Sequence, residues 1–112
     1  MNHVRLNAYK IMWLFVFFDL PVVTKKQRKQ AQKFRKQLMD FGFSMLQFSV
    51  YIRHCASKEN MDMHINRVKA IMPMDGHISI VPITDKQYGN IQNFWGVKKT
   101  DLANTPKQLE LF

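Results

Sequence analysis

The stretch IMWLFVFFDLPVVTKKQRKQAQKFRKQLMDFG, residues 11–42, decides the fold of this chain. It opens with a continuous apolar run from Ile11 to Phe18, which is rich in aromatic residues and too short to span a bilayer. The length of this run and its abrupt end predict a central strand that is buried on both faces and is stopped by Pro21. A basic segment follows instead of small residues at a cleavage site, so the run is not interpreted as a signal peptide.

A helix is predicted to begin shortly after this strand, at Thr24. Thr24 and Gln27 have the spacing of a capping box, in which each side chain satisfies a free backbone amide at the helix start. Gly42 stands where the glycine that follows a helix C-terminus is expected. The apolar residues between them recur at helical spacing and predict the buried face: Ala31, Phe34, Leu38 and Phe41.

The other side of this helix is strongly basic. Seven of the chain's 17 basic residues fall between positions 25 and 36, where there is no acid. The net charge of +9 favours nucleic acid or an anionic membrane as the partner. A solvated helix face usually mixes charges of both signs, so the clustering of the charge favours nucleic acid, and no membrane partner is predicted. The candidates for nucleic-acid binding are Lys25, Lys26, Arg28, Lys29, Lys33, Arg35 and Lys36.

The next two segments predict a strand region and a second helix. Residues 43–54 alternate apolar and polar side chains, the period of a half-buried strand. Their length allows one bent strand or two short strands joined by a kink. The second helix is predicted to start at Ser57 and to end in a turn at Pro73 and the Asp75-Gly76 pair. Its apolar stripe consists of Met61, Ile65, Val68 and Met72.

The remaining segments complete the fold prediction. A strand is predicted from His77 to Ile83, with Pro82 placing part of it at a sheet edge. Residues 84–90 predict a turn or a single helical turn, and residues 91–95 one more short strand. This order is typical of an α+β sandwich of ferredoxin-like type, βαββαβ, with two helices on one face of a mostly antiparallel sheet. That fold hosts many functions and specifies none.

The length of 112 residues fits one domain. We predict an N-terminal extension over residues 1–10, the domain itself over residues 11–97 and a C-terminal tail over residues 98–112. The end of the tail alternates polar and apolar residues and is predicted to dock on a partner as a strand, through Leu109, Leu111 and Phe112. The surplus of apolar residues in so small a basic chain predicts a homodimer.

Few of the titratable residues occur in patterns that support chemistry. The four histidines and Cys55 lack the spacing of metal ligands, so a structural zinc site is not expected. A single cysteine excludes an intrachain disulfide and fits a reducing cytosol. No serine lies in a nucleophile motif, and the four glycines are scattered rather than grouped in a phosphate-binding loop.

Asp19 differs from the other acids because it directly follows the apolar strand. Two interpretations stay open: the side chain caps the loop before the helix, or it is a carboxylate that faces a metal ion. Magnesium commonly uses one or two carboxylates together with waters and substrate phosphates. A homodimer with its twofold axis nearby would supply the second carboxylate, so Mg²⁺ shared across the dimer is a candidate cofactor.

Several segments, in this order and spacing, resemble one family: the CRISPR-associated Cas2 family, the small second core subunit of the CRISPR adaptation machinery. The resemblance covers roughly residues 11–96. Residues 48–55 (FSVYIRHC), 83–89 (ITDKQYG) and 108–112 (QLELF) are similar to members from type II systems, which work beside a large RNA-guided nuclease. The segments that carry the wider resemblance are Phe18-Asp19-Leu20-Pro21, the basic helix that ends at Gly42, LQFSVY at 46–51 and GHISI at 76–80.

This resemblance implies a cytoplasmic, ferredoxin-like homodimer that bridges two dimers of a partner integrase in antiviral defence. The assembly would hold a short duplex DNA and insert it into the CRISPR array as a new spacer. For some members the family also implies a metal-dependent endonuclease for RNA or DNA, in which the aspartate matching Asp19 from each subunit binds magnesium. Many relatives carry Tyr before that aspartate, whereas this chain has Phe18, so one hydroxyl is missing near the predicted site.

Two functional hypotheses follow. In the first, the chain is a structural subunit that binds duplex DNA through its phosphates, without reading bases. In the second, it is a magnesium-dependent endonuclease with Asp19 of both subunits as the catalytic and metal-binding residue. A toxin-like ribonuclease of similar small fold is less favoured, because no general base is evident in the sequence.

Overall fold

The apolar run and the basic segment fold as a strand and a helix in the computed structural model, which describes residues 11–96. The strands are β1 (Ile11–Asp19), β2 (Ser44–Gln47), β3 (Val50–His54) and β4 (His77–Thr84). The helices are α1 (Lys25–Asp40), α2 (Lys58–Ala70) and α3 (Asp85–Gly89). No helix in this part of the chain is long and apolar enough to cross a membrane.

The four strands form one antiparallel sheet in the order β2-β3-β1-β4, which confirms the ferredoxin-like α+β prediction. Leu14, Val16 and Phe18 of β1 point to the side where α1 and α2 pack, and they are buried in the core. The prediction that β1 is buried on both faces was wrong for Phe17, which is 40% exposed. Within residues 11–96, neither α1 nor α2 covers the other face of the sheet at that position.

Local sequence signals account for both ends of α1. Thr24 and Gln27 form the predicted capping box. After the helix, Gly42 has a φ of +88°, the Gly42 amide donates to the Met39 carbonyl, and the Phe43 amide donates to the Leu38 carbonyl. These two bonds form a Schellman motif, which needs a residue that tolerates positive φ. The helix packs through buried Ala31, Phe34 and Leu38, with Phe41 partly buried beside them.

Residues 43–54 form two strands and not one. β2 and β3 pair as a hairpin whose turn contains Phe48 and Ser49, and the pairing is irregular between Met45 and Gln47. An irregularity of this kind bends a strand and strengthens its twist. The two-strand alternative that the sequence left open is therefore the one the chain adopts.

The buried face of α2 differs from the predicted stripe at two positions. Met61 and Val68 are buried as predicted, but His64 joins them at 2% exposure. Met72 lies beyond the last helical residue and is 39% exposed, so its place in the stripe was wrong. The helix stops before Pro73, and the spacing of a helix no longer applies where the helix has ended.

His64 is buried without a hydrogen-bond partner on either ring nitrogen within the described residues. Its ring packs edge-on against Phe43, with the centroids 6.2 Å apart. Burial lowers the pKa of His64 below its ordinary value, and the positive charges of Arg53 and Arg67 lower it further. The side chain is thus held in its neutral form.

This lowered pKa predicts that the protein loses stability in mild acid. The unfolded chain takes up a proton on His64 below pH of about 6.5, whereas the folded protein resists it, so the free energy of unfolding falls as pH falls. The contribution of this residue is at most about 1.4 kcal/mol per pH unit. In the variant His64→Leu, the free energy of unfolding measured by urea titration is expected to change less between pH 7 and pH 5 than in the parent. His54→Gln, at an exposed histidine, is the control, and an unchanged slope in His64→Leu would contradict the assignment.

β4 and the residues after it confirm one prediction and correct another. β4 is an edge strand and contains Pro82, as predicted. The single helical turn that follows, α3, starts with a second capping box from Thr84 and Gln87. Residues 91–96 form no strand, so the strand predicted over 91–95 was wrong. The Ile91 amide instead donates to the Tyr88 carbonyl, which extends the end of α3.

Several predictions fall outside the residues that the structure describes. They are the N-terminal extension over residues 1–10 and the tail over residues 98–112 with its strand-docking residues Leu109, Leu111 and Phe112. These stay predictions.

Candidate nucleic-acid interface and metal-binding carboxylate

Asp19 lies at the end of the central strand, on the face of the sheet away from the core. It pairs with His77 at the start of β4, and Phe17, two positions earlier, pairs with Ser79 of β4 and Val50 of β3. Residues two apart on a strand and their direct cross-strand partners share one face, so these side chains lie together. They line a shallow open cavity: Phe17, Phe18, Asp19, Ser49, Val50, His77 and Ser79.

Two turns fix the backbone at Asp19. On one side the Phe18 amide donates to the Ser49 carbonyl at 3.0 Å, which ties β1 to the hairpin turn. On the other side Gly76 has a φ of +101°, and a Cβ atom at that position would lie 2.7 Å from the Asp19 carbonyl oxygen. Such a distance is far below van der Waals contact, so only glycine allows the approach.

The Asp19 side chain is exposed and accepts no hydrogen bond from any residue between 11 and 96. The N-terminus of α1 is capped by Thr24 instead. Of the two interpretations left open by the sequence, local capping of the helix is therefore not what this carboxylate does. Its oxygen lone pairs are available to a cation or to water.

A single protomer offers little else to a metal ion. No group of three histidines, cysteines or acids lies close enough to hold a metal within the described residues. His77 stands opposite Asp19, but imidazole is a poorer ligand than oxygen for magnesium. The donor set fits Mg²⁺ as one carboxylate that needs waters, phosphate oxygens or a second carboxylate to complete the shell.

The basic face of α1 is free of acids in space as well as in sequence. Six of the seven basic residues are exposed, and none of the seven forms an ion pair with a described acid. Arg28 donates to the Val22 and Val23 carbonyls at 3.2 and 2.8 Å, which holds it against the loop before the helix. Arg35 is half-buried against aromatic rings.

This charge arrangement destabilises the helix that carries it. Lys25 and Lys26 stand in the first turn, where the helix dipole disfavours positive charge and where there is no acid. Lys29 lies four residues after Lys25, and Lys33 four after Lys29, and each like-charge pair at this spacing costs about 0.2–0.5 kcal/mol. A bound polyanion would remove both costs, so this face is suited to a row of phosphates.

The structure places the two predicted features on different layers. The basic face belongs to the helix layer, while Asp19 points to the opposite face of the sheet. The guanidinium carbon of Arg35 lies 5.5 Å from the ring centroid of Phe18, the residue before Asp19, and that ring is on the helix side of the sheet.

Sequence reasoning missed three polar neighbours of Asp19: Ser49, His77 and Ser79. His77 was predicted as the start of a strand and was counted among the histidines without ligand spacing, but it was not connected with Asp19. The available signal was topological, since the end of one strand and the start of its antiparallel neighbour are brought side by side. Using that signal requires knowing that β4 pairs with β1.

Comparison with known proteins agrees with this fold and these segments. The sequence profile of the family described as "CRISPR associated protein Cas2" matches residues 12–91. A protein of Flavobacterium psychrophilum named "CRISPR-associated endoribonuclease Cas2" is 50% identical over 111 residues, covering 99% of this chain and 96% of the relative. Proteins of the same name from Parvibaculum lavamentivorans and Paracidovorax avenae are 46% and 43% identical, covering 90% and 96% of this chain and 100% and 99% of the relatives. The chain therefore belongs to the Cas2 family.

Proposed function

We propose that this protein is a core subunit of the CRISPR adaptation machinery, a homodimer that binds duplex DNA and bridges dimers of the partner integrase during spacer acquisition. Membership of the Cas2 family supports the adaptation role. The observation that carries DNA binding is the exposed basic face of α1, which has no acidic partner in the described part of the chain.

The chemistry of this face suits a ligand of arbitrary sequence. Lysines on the outside of a helix contact phosphates as point charges, and phosphate contacts position a duplex without carrying sequence information. A helix of 16 residues is about 24 Å long, so its charges can follow several successive phosphates. New spacers have arbitrary sequence, and recognition through the backbone meets that requirement.

The face of the sheet opposite α1 and α2 supports the homodimer. Phe15, Phe17, Val50, Ile52 and Val81 share that face, and Phe17 and Val81 stay about 40% exposed. Phe15 and Ile52 are already buried within the chain, so the apolar area that is costly to leave in water is the part around Phe17 and Val81. If a second copy covers it about a twofold axis, two Asp19 carboxylates come to the same side of the assembly and two basic helices face outward.

DNA binding through α1 predicts a steep salt dependence that mutation can reduce. Each phosphate neutralised contributes about −0.9 to the slope of log affinity against log salt. With half of the seven basic residues engaged per subunit, a dimer is expected to show a slope of roughly −6. Replacing Lys25, Lys29 and Lys36 by Gln should lower its magnitude by about three to five units, measured by fluorescence anisotropy on a short duplex.

The matched control removes three charges from the other helix. The control replaces Lys58, Arg67 and Lys69 of α2 together by Gln, which lowers the net charge by the same amount and should leave the slope within about one unit of the parent.

Light scattering on the free protein and on the complex gives the number of subunits in each. Equal effects of the two triple variants would move the DNA surface away from α1, and a monomer at micromolar concentration would contradict the homodimer.

A second function, magnesium-dependent cleavage of RNA or DNA, is supported by the exposed Asp19 and by the name endoribonuclease that the relatives carry. Bound Mg²⁺ would polarise the scissile phosphate and activate water. Asp19 would bind that ion from each subunit, while His77 and the two serines of the same cavity would contact substrate oxygens.

A further inference from the structure

Arg35 is the one residue of the basic face whose charged group is held by aromatic rings. Its guanidinium carbon lies 4.2 Å from the ring centroid of Phe48 and 5.5 Å from that of Phe18. Its Nε atom is buried and has no hydrogen-bond partner, and no described acid pairs with the side chain. The positive charge is therefore balanced inside the described part of the chain only by the ring faces.

Phe48 is a large apolar side chain that is not buried in the core. The residue lies in the turn between β2 and β3, and 70% of it is exposed. Arg35 covers one face of the ring, so the opposite face is open to solvent. A ring held by a cation on one face loses less conformational entropy when a ligand stacks on its other face.

We propose that Phe48, backed by Arg35, is a stacking platform for an unpaired nucleobase. This inference rests on the proposed nucleic-acid-binding function and adds a subsite for single-stranded nucleotides to it. An exposed ring beside uncompensated positive charge suits a base and its phosphate together. Stacking tolerates any sequence because every base has a π-face, which agrees with binding that does not read bases.

The platform lies between the two features already described. The Ser49 carbonyl, next to Phe48, accepts the hydrogen bond from the Phe18 amide, and Ser49 lines the same cavity as Asp19. On the other side Arg35 belongs to the helix that carries the lysines. Phe48 is therefore in contact with the helix that carries the lysines and adjacent in the chain to a residue of the cavity that contains Asp19.

The experiment compares stacking with charge on one ligand. A short duplex is prepared with single-stranded thymidine extensions and, in parallel, with abasic extensions that keep the phosphates and lack the bases. The dissociation constant of the abasic ligand divided by that of the thymidine ligand measures the contribution of base stacking. One stacked base is worth about a 5- to 150-fold ratio in the parent protein. Phe48→Ala and Phe48→Leu should reduce the ratio to about one, and Phe48→Trp should keep it.

Controls separate this subsite from its alternatives. Met45→Ala, at an exposed residue of the same hairpin, should leave the ratio unchanged. A ratio near one in the parent overturns the platform, as does a Phe48→Ala variant that weakens thymidine and abasic ligands equally. A shift of Phe48→Ala from dimer to monomer in light scattering would assign the ring to a protein interface and also overturn it.

The same comparison on free single strands keeps the two proposals distinguishable. If the blunt duplex fails to bind at low salt, duplex binding by α1 is wrong. The thymidine-to-abasic ratio on a single strand then still decides the platform, with about 5-fold or more supporting it and one rejecting it.

Discussion

Replacing Asp19→Asn is expected to abolish metal-dependent cleavage while the fold and DNA affinity persist. The carboxylate is exposed and accepts no hydrogen bond from residues 11–96, so its loss removes no internal contact there. Without a bound ion, the remaining basic side chains bind ground state and transition state alike, and uniform binding does not accelerate chemistry. Loss of metal stabilisation worth several kcal/mol lowers the single-turnover rate by at least about a hundredfold.

The readouts for this variant separate nuclease from scaffold. Purified Asp19→Asn should melt like the parent and bind a duplex as tightly or slightly more tightly, since one negative charge is removed. Asp40→Asn, at the exposed end of α1, is the control and should cleave like the parent. If Asp19→Asn cleaves at the parental rate, the active site lies elsewhere. If the Asp19→Asn variant still acquires spacers in cells, spacer acquisition needs the structural role of the protein and not its cleavage activity.

Replacing Gly76→Ala is expected to cause the largest loss of stability among single substitutions near the site. The positive φ of +101° costs a residue with a Cβ atom about 1–2 kcal/mol. In addition, the new Cβ atom would lie 2.7 Å from both the Asp19 carbonyl oxygen and Leu20 Cδ2. Forcing that contact apart costs about 1–3 kcal/mol more, for a total of about 2–5 kcal/mol.

Urea titration measures this loss, and a second glycine provides the matched control. Gly89 ends α3 without positive φ, and a Cβ atom there would meet no atom of a non-neighbouring residue within 4 Å in the described part of the chain. Gly89→Ala should therefore be neutral or stabilise by up to about 1 kcal/mol. Because Gly76 contacts the backbone of Asp19, Gly76→Ala should also weaken any activity that depends on the carboxylate, even under conditions where the variant is folded. Equal stabilities of the two variants would show that the turn relaxes easily.

The parts of the fold that depend on neighbouring residues in sequence were predictable. The capping box at Thr24, the glycine at 42 and the buried face of α1 all follow from spacing within a few residues. The sheet position of β1 was also predictable, since a continuous apolar run needs neighbours on both sides. Pro82 likewise indicated an edge strand, because proline cannot donate to a second neighbour.

The errors share a different cause, which is that burial depends on what packs from elsewhere in the chain. His64 is polar and was left out of the α2 stripe, yet the core closes over it. Phe17 belongs to an apolar run but lies on the face of the sheet away from α1 and α2. Residues 91–95 have β-forming composition, but the end of α3 takes up the first amide of the segment.

The candidate site was predictable only in part. Asp19 stood out by position, and the basic residues by number. Their neighbours required the register of two strand pairs, which places His77 opposite Asp19 and Ser79 opposite Phe17. The contact between Arg35 and Phe48 joins two elements of the fold, and nothing in the spacing of the basic segment distinguishes Arg35 from the lysines around it.

The crowding of like charges on α1 gives this protein two opposite responses to ionic strength. Salt screens repulsion between Lys25, Lys29 and Lys33, so added salt favours the folded free subunit. If α1 binds nucleic acid as proposed, the same salt displaces the phosphates that would balance those charges and dissociates the complex. On that proposal, the salt concentrations that release nucleic acid are also those at which the free subunit is most stable. At low salt, bound phosphates would then reduce the repulsion between the lysines as dissolved ions do at high salt.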